Sequence, residues 1–214
     1  MPLPSTDELE RLERDLARTI RRLYERGLVS GVGGNASVLV PPKKLVLITP
    51  AGYFKGGVAE GGLVKVGLNG GVIGRGKPSS ELPTHLAAYR ARRDVRAVVH
   101  GHPPTAVALI TSGVQIPTMT PEYAVMIRRL EVVDFAPPGE AGAKAITKQL
   151  GRCDMVGIRN HGFFSLGKDL NEAASKLEVL EESAKICLAG RMVGGASGLD
   201  DEEVEDIRKA YPHE

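Results

Sequence analysis

The chain has no tryptophan, and its four phenylalanines and five tyrosines make up only 4% of the sequence. A base-stacking surface for single-stranded nucleic acid depends on such side chains, so their scarcity argues against that function. Charge points the same way, because 28 basic and 26 acidic residues leave a net charge of only +2. Nucleic-acid-binding domains commonly carry a concentrated basic surface. We therefore expect no nucleic-acid partner.

Cysteine and long apolar runs are also scarce. Only Cys153 and Cys187 occur, at no spacing typical of a zinc knuckle or a redox motif, and both lie in apolar surroundings that suit buried free thiols. No stretch approaches the roughly 20 apolar residues needed to span a bilayer. The charged segment 1–15 does not resemble a signal peptide. The sequence thus predicts a cytoplasmic protein without disulfides and without a membrane partner.

The length of 214 residues is typical of one compact domain, and the sequence predicts a single domain over 1–214. Hydrophobic periodicity changes repeatedly between the helical and the extended kind. Helices are predicted over 5–27, 80–93, 139–150 and 171–192, and strands over 36–40, 44–48, 63–68, 95–99, 131–135, 155–158 and 162–166. This pattern indicates a sheet with helices on its faces. The charged tail 198–214 is expected to be mobile until it is anchored.

The strongest local signal is the segment 98–102, VVHGH, where an apolar strand ends in His100 and His102. Positions i and i+2 of a strand share a face, so both imidazoles can present a nitrogen to one ion. His161, in the segment 159–162 (RNHG), follows another apolar run and is a third candidate. Three neutral imidazoles with one open position are typical of a catalytic zinc site. The alternative is that these histidines only satisfy backbone groups at strand ends.

A carboxylate and an anion site are indicated at 77–81, KPSSE, which opens a predicted helix. Helix starts attract anions, so Ser79 and Ser80 can hold a phosphate while Glu81 faces the metal. The competing interpretation is that the serines cap the helix and Glu81 complements its dipole. The glycine-rich segment 31–35, GVGGN, also lets backbone N–H groups approach an anion, but it lacks the ending of a Walker loop.

Five motifs, taken in order, carry a resemblance to a known family. They are the segments 27–35, 48–52, 77–81, 99–102 and 160–162. At their combined spacing they resemble the class II aldolase family over about residues 8–194. The resemblance implies an α/β fold, a three-layer α/β/α sandwich around a largely antiparallel mixed sheet. It also implies one Zn²⁺ per subunit, held by His100, His102 and His161.

The resemblance extends to the activity and its residues. Glu81 matches the family's acidic residue, which ligates the metal in the resting enzyme and then acts as general base beside the substrate carbonyl. The implied enzyme is a lyase, a zinc-dependent aldolase that reversibly cleaves a ketose 1-phosphate to dihydroxyacetone phosphate and an aldehyde through a metal-stabilised enediolate. By the same resemblance the phosphate is bound by Gly34, Asn35, Ala51, Gly52, Ser79 and Ser80.

Subunit assembly is also implied. The family forms homotetramers with active sites between subunits, where a tyrosine of the neighbour donates a proton near the breaking carbon–carbon bond. Tyr123 is the matching candidate, and Tyr211 is the candidate for a second, C-terminal tyrosine. We therefore expect a homotetramer that acts on a small phosphorylated sugar.

Several alternatives stay open. Relatives use the same metal site for sugar-phosphate epimerisation, dehydration or decarboxylation, although Glu81 favours the aldolase branch because the pentulose-phosphate 4-epimerase branch typically has Asp there. Ala51 replaces a hydroxyl residue often found in the loop, which leaves its backbone N–H as the phosphate donor. His85 either orients a ligand or packs in the core. Two non-catalytic alternatives are a metal-binding module with an inert ion and an interaction domain with structural histidines.

Overall fold

The computed structural model describes residues 6–40, 45–57 and 62–211, and these residues form one sheet covered by helices. The strands are β1 (Asn35–Val40), β2 (Leu45–Ile48), β3 (Val64–Gly67), β4 (Val72–Ile73), β5 (Ala97–Gly101), β6 (Leu130–Val133), β7 (Met155–Ile158) and β8 (Gly162–Gly167). The helices are α1 (Thr6–Glu25), α2 (Leu82–Ala91), α3 (Pro104–Thr111), α4 (Pro121–Met126), α5 (Glu140–Leu150), α6 (Leu170–Met192) and α7 (Asp201–Ala210).

The sheet is mixed but largely antiparallel. Its strand order is β4-β3-β2-β1-β5-β8-β7-β6. Every neighbouring pair is antiparallel except β6 with β7, which is parallel. Strand β5 therefore lies between β1 and β8 in the interior of the sheet, with His100 opposite Asn35 on one side and Phe164 on the other. This register decides which side chains meet at the end of β5.

Two apolar cores lie on opposite faces of the sheet. Alternate residues of a strand face opposite sides, so Val38 packs with the core of α1, α3 and α6, whereas Leu39 packs with the core of α2 and α5. Leu180 of α6 and Ile146 of α5 are both fully buried, and burying such a side chain contributes roughly 1.5–3 kcal/mol. Helices thus cover both faces, and the predicted three-layer α/β/α sandwich is confirmed.

Most predicted elements are present with small shifts at their ends. The helices predicted over 80–93, 139–150 and 171–192 appear as α2, α5 and α6, and the seven predicted strands appear as β1 to β3 and β5 to β8. Positions 5 and 44, at the starts of a predicted helix and strand, lie outside the described residues.

Both cysteines are free and buried, as predicted. No helix among the described residues is both long and apolar enough to cross a membrane.

Three helices and one strand were not predicted. Helices α3 and α4 begin at Pro104 and Pro121, and proline at a helix start is easily taken for a turn signal although its missing N–H costs nothing there. Helix α7 occupies the tail expected to be mobile. Asp200 and Glu203 form a capping box at its start, and Arg208 donates a hydrogen bond to the Ala124 carbonyl of α4 at 2.9 Å. Strand β4 has only two residues.

Candidate active site

The three predicted histidines meet where strands β5 and β8 lie side by side. His100 is the penultimate residue of β5, His102 follows that strand, and His161 lies in the turn between β7 and β8. Asn160 makes this turn in the left-handed region, at φ 57°, which asparagine tolerates better than most residues. One ligand atom from each of the three histidines lies within 4.8 Å of the other two. The structure therefore brings the three predicted histidines together.

Close backbone packing makes this arrangement possible. A Cβ atom at Gly162 would lie 2.5 Å from the His102 ring, so any larger residue there would push β8 away from the cluster. His100 is 1% exposed, and its ring stacks on Phe164 with centroids 4.2 Å apart. Its Nδ1 lies 3.0 Å from the Phe163 carbonyl, which fixes Nδ1 as the donor. The lone pair of a neutral His100 is therefore on Nε2, facing the other histidines.

Glu81 joins the cluster from the start of α2. Its Oε2 lies 2.8 Å from His100 Nε2, and its Oε1 lies 3.6 Å from His161 Nε2. The carboxylate makes no hydrogen bond to the helix start, whereas the Ser79 hydroxyl accepts one from the Glu81 N–H at 3.3 Å. Glu81 is itself the N-cap residue of α2, and no side chain caps that helix. The contact of Ser79 with the Glu81 N–H therefore stabilises the turn before the helix, and the Glu81 side chain faces the histidines as expected.

The electrostatics of the cluster favour an ionised carboxylate at Glu81 and neutral imidazoles at His102 and His161. Burial alone raises the pKa of Glu81, but the charge and hydrogen bond of His100, followed by His161 and Asn35, outweigh it and lower the pKa to about 2. Burial, reinforced by His100 and His161, lowers the pKa of His102 to about 3. Burial and His100 lower the pKa of His161 as well. Neutral imidazole and ionised carboxylate are the forms that bind metal ions.

The donor set fits a divalent metal ion. His102 Nε2 lies 3.0 Å from His100 Nε2, and the Glu81 carboxylate faces the same atom, so several electron pairs converge on one point. Such a convergence is repulsive unless a cation, either a proton or a metal ion, lies among these groups. The buried Nδ1 of His161 has no hydrogen-bond partner among the described residues. Nitrogen and oxygen donors without sulfur suit zinc and other borderline or hard divalent ions.

A buried chain of hydrogen bonds holds the Glu81 carboxylate in position. Asn35 Nδ2 donates to Glu81 Oε2 at 3.2 Å, and the Asn35 Oδ1 lies 2.5 Å from His85 Nε2. His85 Nδ1 lies 2.7 Å from the Ser37 hydroxyl, which lies 2.6 Å from the Tyr89 hydroxyl. One arrangement of hydrogens satisfies every contact, with Tyr89 donating to Ser37, Ser37 to His85, and His85 to Asn35. His85 therefore orients the Asn35 amide; Ser37 and Tyr89 were not recognised in the sequence.

Acidification of the metal-free protein is expected to destabilise it below about pH 6.5. Burial lowers the pKa of His85 from 6.5 to about 3, so between these values the unfolded chain binds a proton that the folded chain excludes. The free energy of unfolding must then decrease as pH falls. Glu81 adds to this loss of stability at lower pH, because its pKa falls from 4.5 to about 2 on folding. Its ionised form stabilises the folded protein above pH 4.5, and this stabilisation is lost as pH falls towards 2.

Urea denaturation of metal-free protein between pH 8 and pH 4 measures this dependence. His85→Gln keeps a donor towards Asn35 but removes one titrating ring, so it should reduce the slope between pH 6.5 and pH 4. His102 and His161, whose pKa values are also lowered, account for the rest of the slope. An unchanged slope in this variant would assign the effect to other groups.

A cleft of about 190 Å³ connects the histidine cluster with the glycine-rich loop. All residues assigned to phosphate by the resemblance line it, namely Gly34, Asn35, Ala51, Gly52, Ser79 and Ser80. Among the described residues, no group accepts a hydrogen bond from the backbone N–H of Gly34, Gly52 or Ser80. These N–H groups are therefore available to an anion. Gly34 has φ +81°, and a Cβ atom there would lie 2.5 Å from Val29, so only glycine fits.

Two of the residues predicted to bind phosphate have no free hydrogen-bond donor of the kind expected. The Ala51 N–H donates to the Lys77 carbonyl at 2.9 Å, so the donor expected from Ala51 is already used by the segment 77–81. The Asn35 amide is occupied by Glu81 and His85. Both residues line the cleft, but the free donors come from their neighbours Gly34 and Gly52.

The structure does not bring the two predicted tyrosines to this cleft within one chain. Tyr123 of α4 is 5% exposed and packs in the apolar core, and it lines a different cleft with Arg128 and Arg129. Burial raises its pKa to about 12. Tyr211 is 64% exposed at the end of α7. A role for either tyrosine in the reaction therefore requires a neighbouring subunit.

Comparison with known proteins supports the family resemblance. The family model described as the class II aldolase and adducin N-terminal domain matches residues 14–188. The chain is 36% identical to an L-fuculose phosphate aldolase of Methanocaldococcus jannaschii, over 85% of this chain and 98% of that one. It is 32% identical to a 3-oxo-tetronate 4-phosphate decarboxylase of Haemophilus influenzae, over 87% of this chain and 91% of that one. A solved L-fuculose 1-phosphate aldolase superimposes with a TM-score of 0.87 at 28% identity and covers 99% of both chains.

The matched region contains Glu81 and all three histidines of the cluster. The named relatives differ in their reactions, but aldol cleavage and decarboxylation both break a carbon–carbon bond next to a carbonyl group. The chain belongs to the class II aldolase family, whose members generally use a divalent metal ion, and it is a lyase.

Proposed function

We propose that this protein is a zinc-dependent aldolase that reversibly cleaves a ketose 1-phosphate such as L-fuculose 1-phosphate. The products are dihydroxyacetone phosphate and an aldehyde. The observation that carries the proposal is the position of the Glu81 carboxylate. It lies 2.8 Å from His100 Nε2, and Glu81 lines the cleft that has free backbone donors. In this proposal Glu81 is the proton-transfer group, and it would contact both the metal ion and the substrate.

The metal would be held by His100, His102 and His161, with Glu81 as a displaceable fourth ligand. When bound, the ion supplies Lewis-acid stabilisation of the negative charge that develops on the substrate oxygens. No lysine Schiff base is then needed. Relatives named L-fuculose phosphate aldolase support this assignment.

Glu81 performs the proton transfer at carbon in this proposal. In the direction of condensation it removes a proton from the carbon next to the carbonyl group, and in cleavage it returns that proton. While the carboxylate contacts His100 and His161 its pKa is about 2, so it is fully ionised. Leaving those contacts removes the groups that lower the pKa, and the carboxylate becomes a stronger base. Asn35, held by His85, fixes the starting position of the carboxylate.

The phosphate would lie against the loops that carry Gly34, Gly52 and Ser80, whose N–H groups are free. Tyr123 would act from a neighbouring subunit as proton donor at the aldehyde oxygen, in a homotetramer. A second candidate reaction is decarboxylation of a sugar-acid phosphate, favoured by the 32% identity to a 3-oxo-tetronate 4-phosphate decarboxylase. Both reactions leave a carbanion equivalent beside a carbonyl group, so the same metal site serves either.

Incubation of zinc-loaded protein with L-fuculose 1-phosphate tests the proposal. We expect release of dihydroxyacetone phosphate, its loss after chelator treatment, and its recovery on addition of Zn²⁺. A coupled reduction of dihydroxyacetone phosphate with a nicotinamide cofactor measures the rate. Absence of this product at one bound zinc per chain would exclude the aldolase assignment. Release of CO₂ from 3-oxo-tetronate 4-phosphate would then establish the second candidate.

A further inference from the structure

A buried lysine lines the same cleft and takes no part in the features described so far. Lys55 begins a short 3₁₀ turn, Lys55–Gly57, that follows the loop carrying Gly52. Its backbone N–H donates to the Gly31 carbonyl at 2.9 Å, which ties this turn to the glycine-rich loop. The residue is only 2% exposed. It is the one lysine or arginine among the described residues that line the cleft.

The ammonium group of Lys55 has no charged partner in the part of the chain that the structure describes. Its Nζ donates to the Tyr53 carbonyl at 3.2 Å, and none of the salt bridges formed by the described residues includes it. Burial lowers its pKa from the usual value. By contrast, the buried Lys176 contacts both the Glu172 carboxylate and a backbone carbonyl. A buried cation without an anion costs free energy, so Lys55 has a cost that its own contacts do not offset.

The other groups around this part of the cleft are neutral donors. The N–H groups of Gly34, Gly52 and Ser80 are free, and the Ser79 and Ser80 hydroxyls add two more donors. Neutral donors alone leave the charge of a phosphate dianion without a cationic side chain beside it. Hydrogen bonds between ionised partners are roughly twice as strong as neutral ones.

We infer that Lys55 is the cationic ligand of the substrate phosphate and the residue by which the enzyme selects phosphorylated over unphosphorylated sugars. This inference rests on the proposed function in so far as the substrate carries a phosphate. The ammonium compensates the phosphate charge, and the phosphate supplies the anion that the buried ammonium lacks. Removing the charge should therefore weaken phosphate binding yet leave the free protein equally stable or more stable.

Thermal unfolding of the zinc-loaded protein in increasing inorganic phosphate tests this directly. Lys55→Met removes the charge at similar length, and Lys55→Gln also keeps a neutral donor for the Tyr53 carbonyl. Lys148→Met, on the exposed side of α5, is the matched control. We expect wild type and Lys148→Met to show the same phosphate-dependent rise in Tm. Both Lys55 variants should need at least tenfold more phosphate for the same rise, with unchanged zinc per chain and an unchanged or higher Tm without phosphate.

Each other outcome counts against the inference. Wild-type phosphate affinity in Lys55→Gln would show that the charge is not used, even if Lys55→Met fails to fold. Absence of any phosphate effect on wild type would likewise overturn it. Because this assay needs no turnover, its result is separate from that of the aldolase assay. Failure to release dihydroxyacetone phosphate would reject the aldolase reaction, while a phosphate effect that depends on Lys55 would still stand.

Discussion

Replacing Glu81 by glutamine is expected to lower kcat for ketose 1-phosphate cleavage by about 10³-fold, within the usual range for loss of a general acid–base group. Glutamine has the same shape, so it preserves the packing around a residue that is only 4% exposed. Its amide cannot carry the proton to and from the carbon next to the carbonyl group. The loss should therefore fall on kcat at saturating substrate and saturating Zn²⁺.

The matched control for this variant is Glu205→Gln, a charge-neutralising change on the exposed side of α7, which should leave kcat unchanged. Bound metal must be measured in both variants, because Glu81 also faces the histidines and its loss weakens metal binding to some degree. If Glu81→Gln retained more than a tenth of the wild-type kcat at full zinc occupancy, another group would have to transfer the proton.

The second large effect is expected from His102→Ala. This change removes one of the three converging imidazoles but leaves the stacked and buried pair of His100 and Phe164 in place. Even loss of a group that only supports a ligand commonly costs 10–100-fold in metal affinity, so loss of the ligand itself should cost at least about 100-fold. Activity should fall in parallel with the bound metal.

Titration of metal-free protein with Zn²⁺, followed by elemental analysis, measures the affinity. Partial recovery of activity at high Zn²⁺ would show that the remaining ligands still hold the ion. A wild-type affinity in His102→Ala would exclude this residue as a ligand and would leave the 3.0 Å contact with His100 as a purely structural one.

Sequence reasoning found the residues whose chemistry is visible locally. His100 and His102 share a short segment at the end of a strand, and Glu81 follows two serines at a helix start. Such patterns depend on the fixed geometry of one element, so they can be recognised without knowledge of the fold. His161 was found in the same way, from its position after an apolar run. Ala51 and Gly52 needed the ordered set of motifs, because nothing in their own segment indicates an anion site.

The supporting contacts of the site could not be predicted in this way. Asn35 and Glu81 are 46 residues apart, and Ser37 is 48 residues from His85. Only the register between β1 and β5 and the packing of α2 on the sheet bring them together. The role of Lys55 was not predicted either, because nothing in the adjacent sequence indicates that this lysine is buried. Burial of polar groups is decided by tertiary structure and has no local signature.

The strand pairing that brings His161 to the cluster affects how much of the protein is degraded in a cell. Its place beside His100 and His102 depends on the pairing of β8 with β5, so an unfolded chain offers at best two adjacent imidazoles. An ion that prefers the native chain stabilises it in proportion to the logarithm of its free concentration. Under metal starvation the unfolded fraction rises, and proteases remove unfolded chains. Scarcity of metal would then reduce the amount of the enzyme as well as its activity.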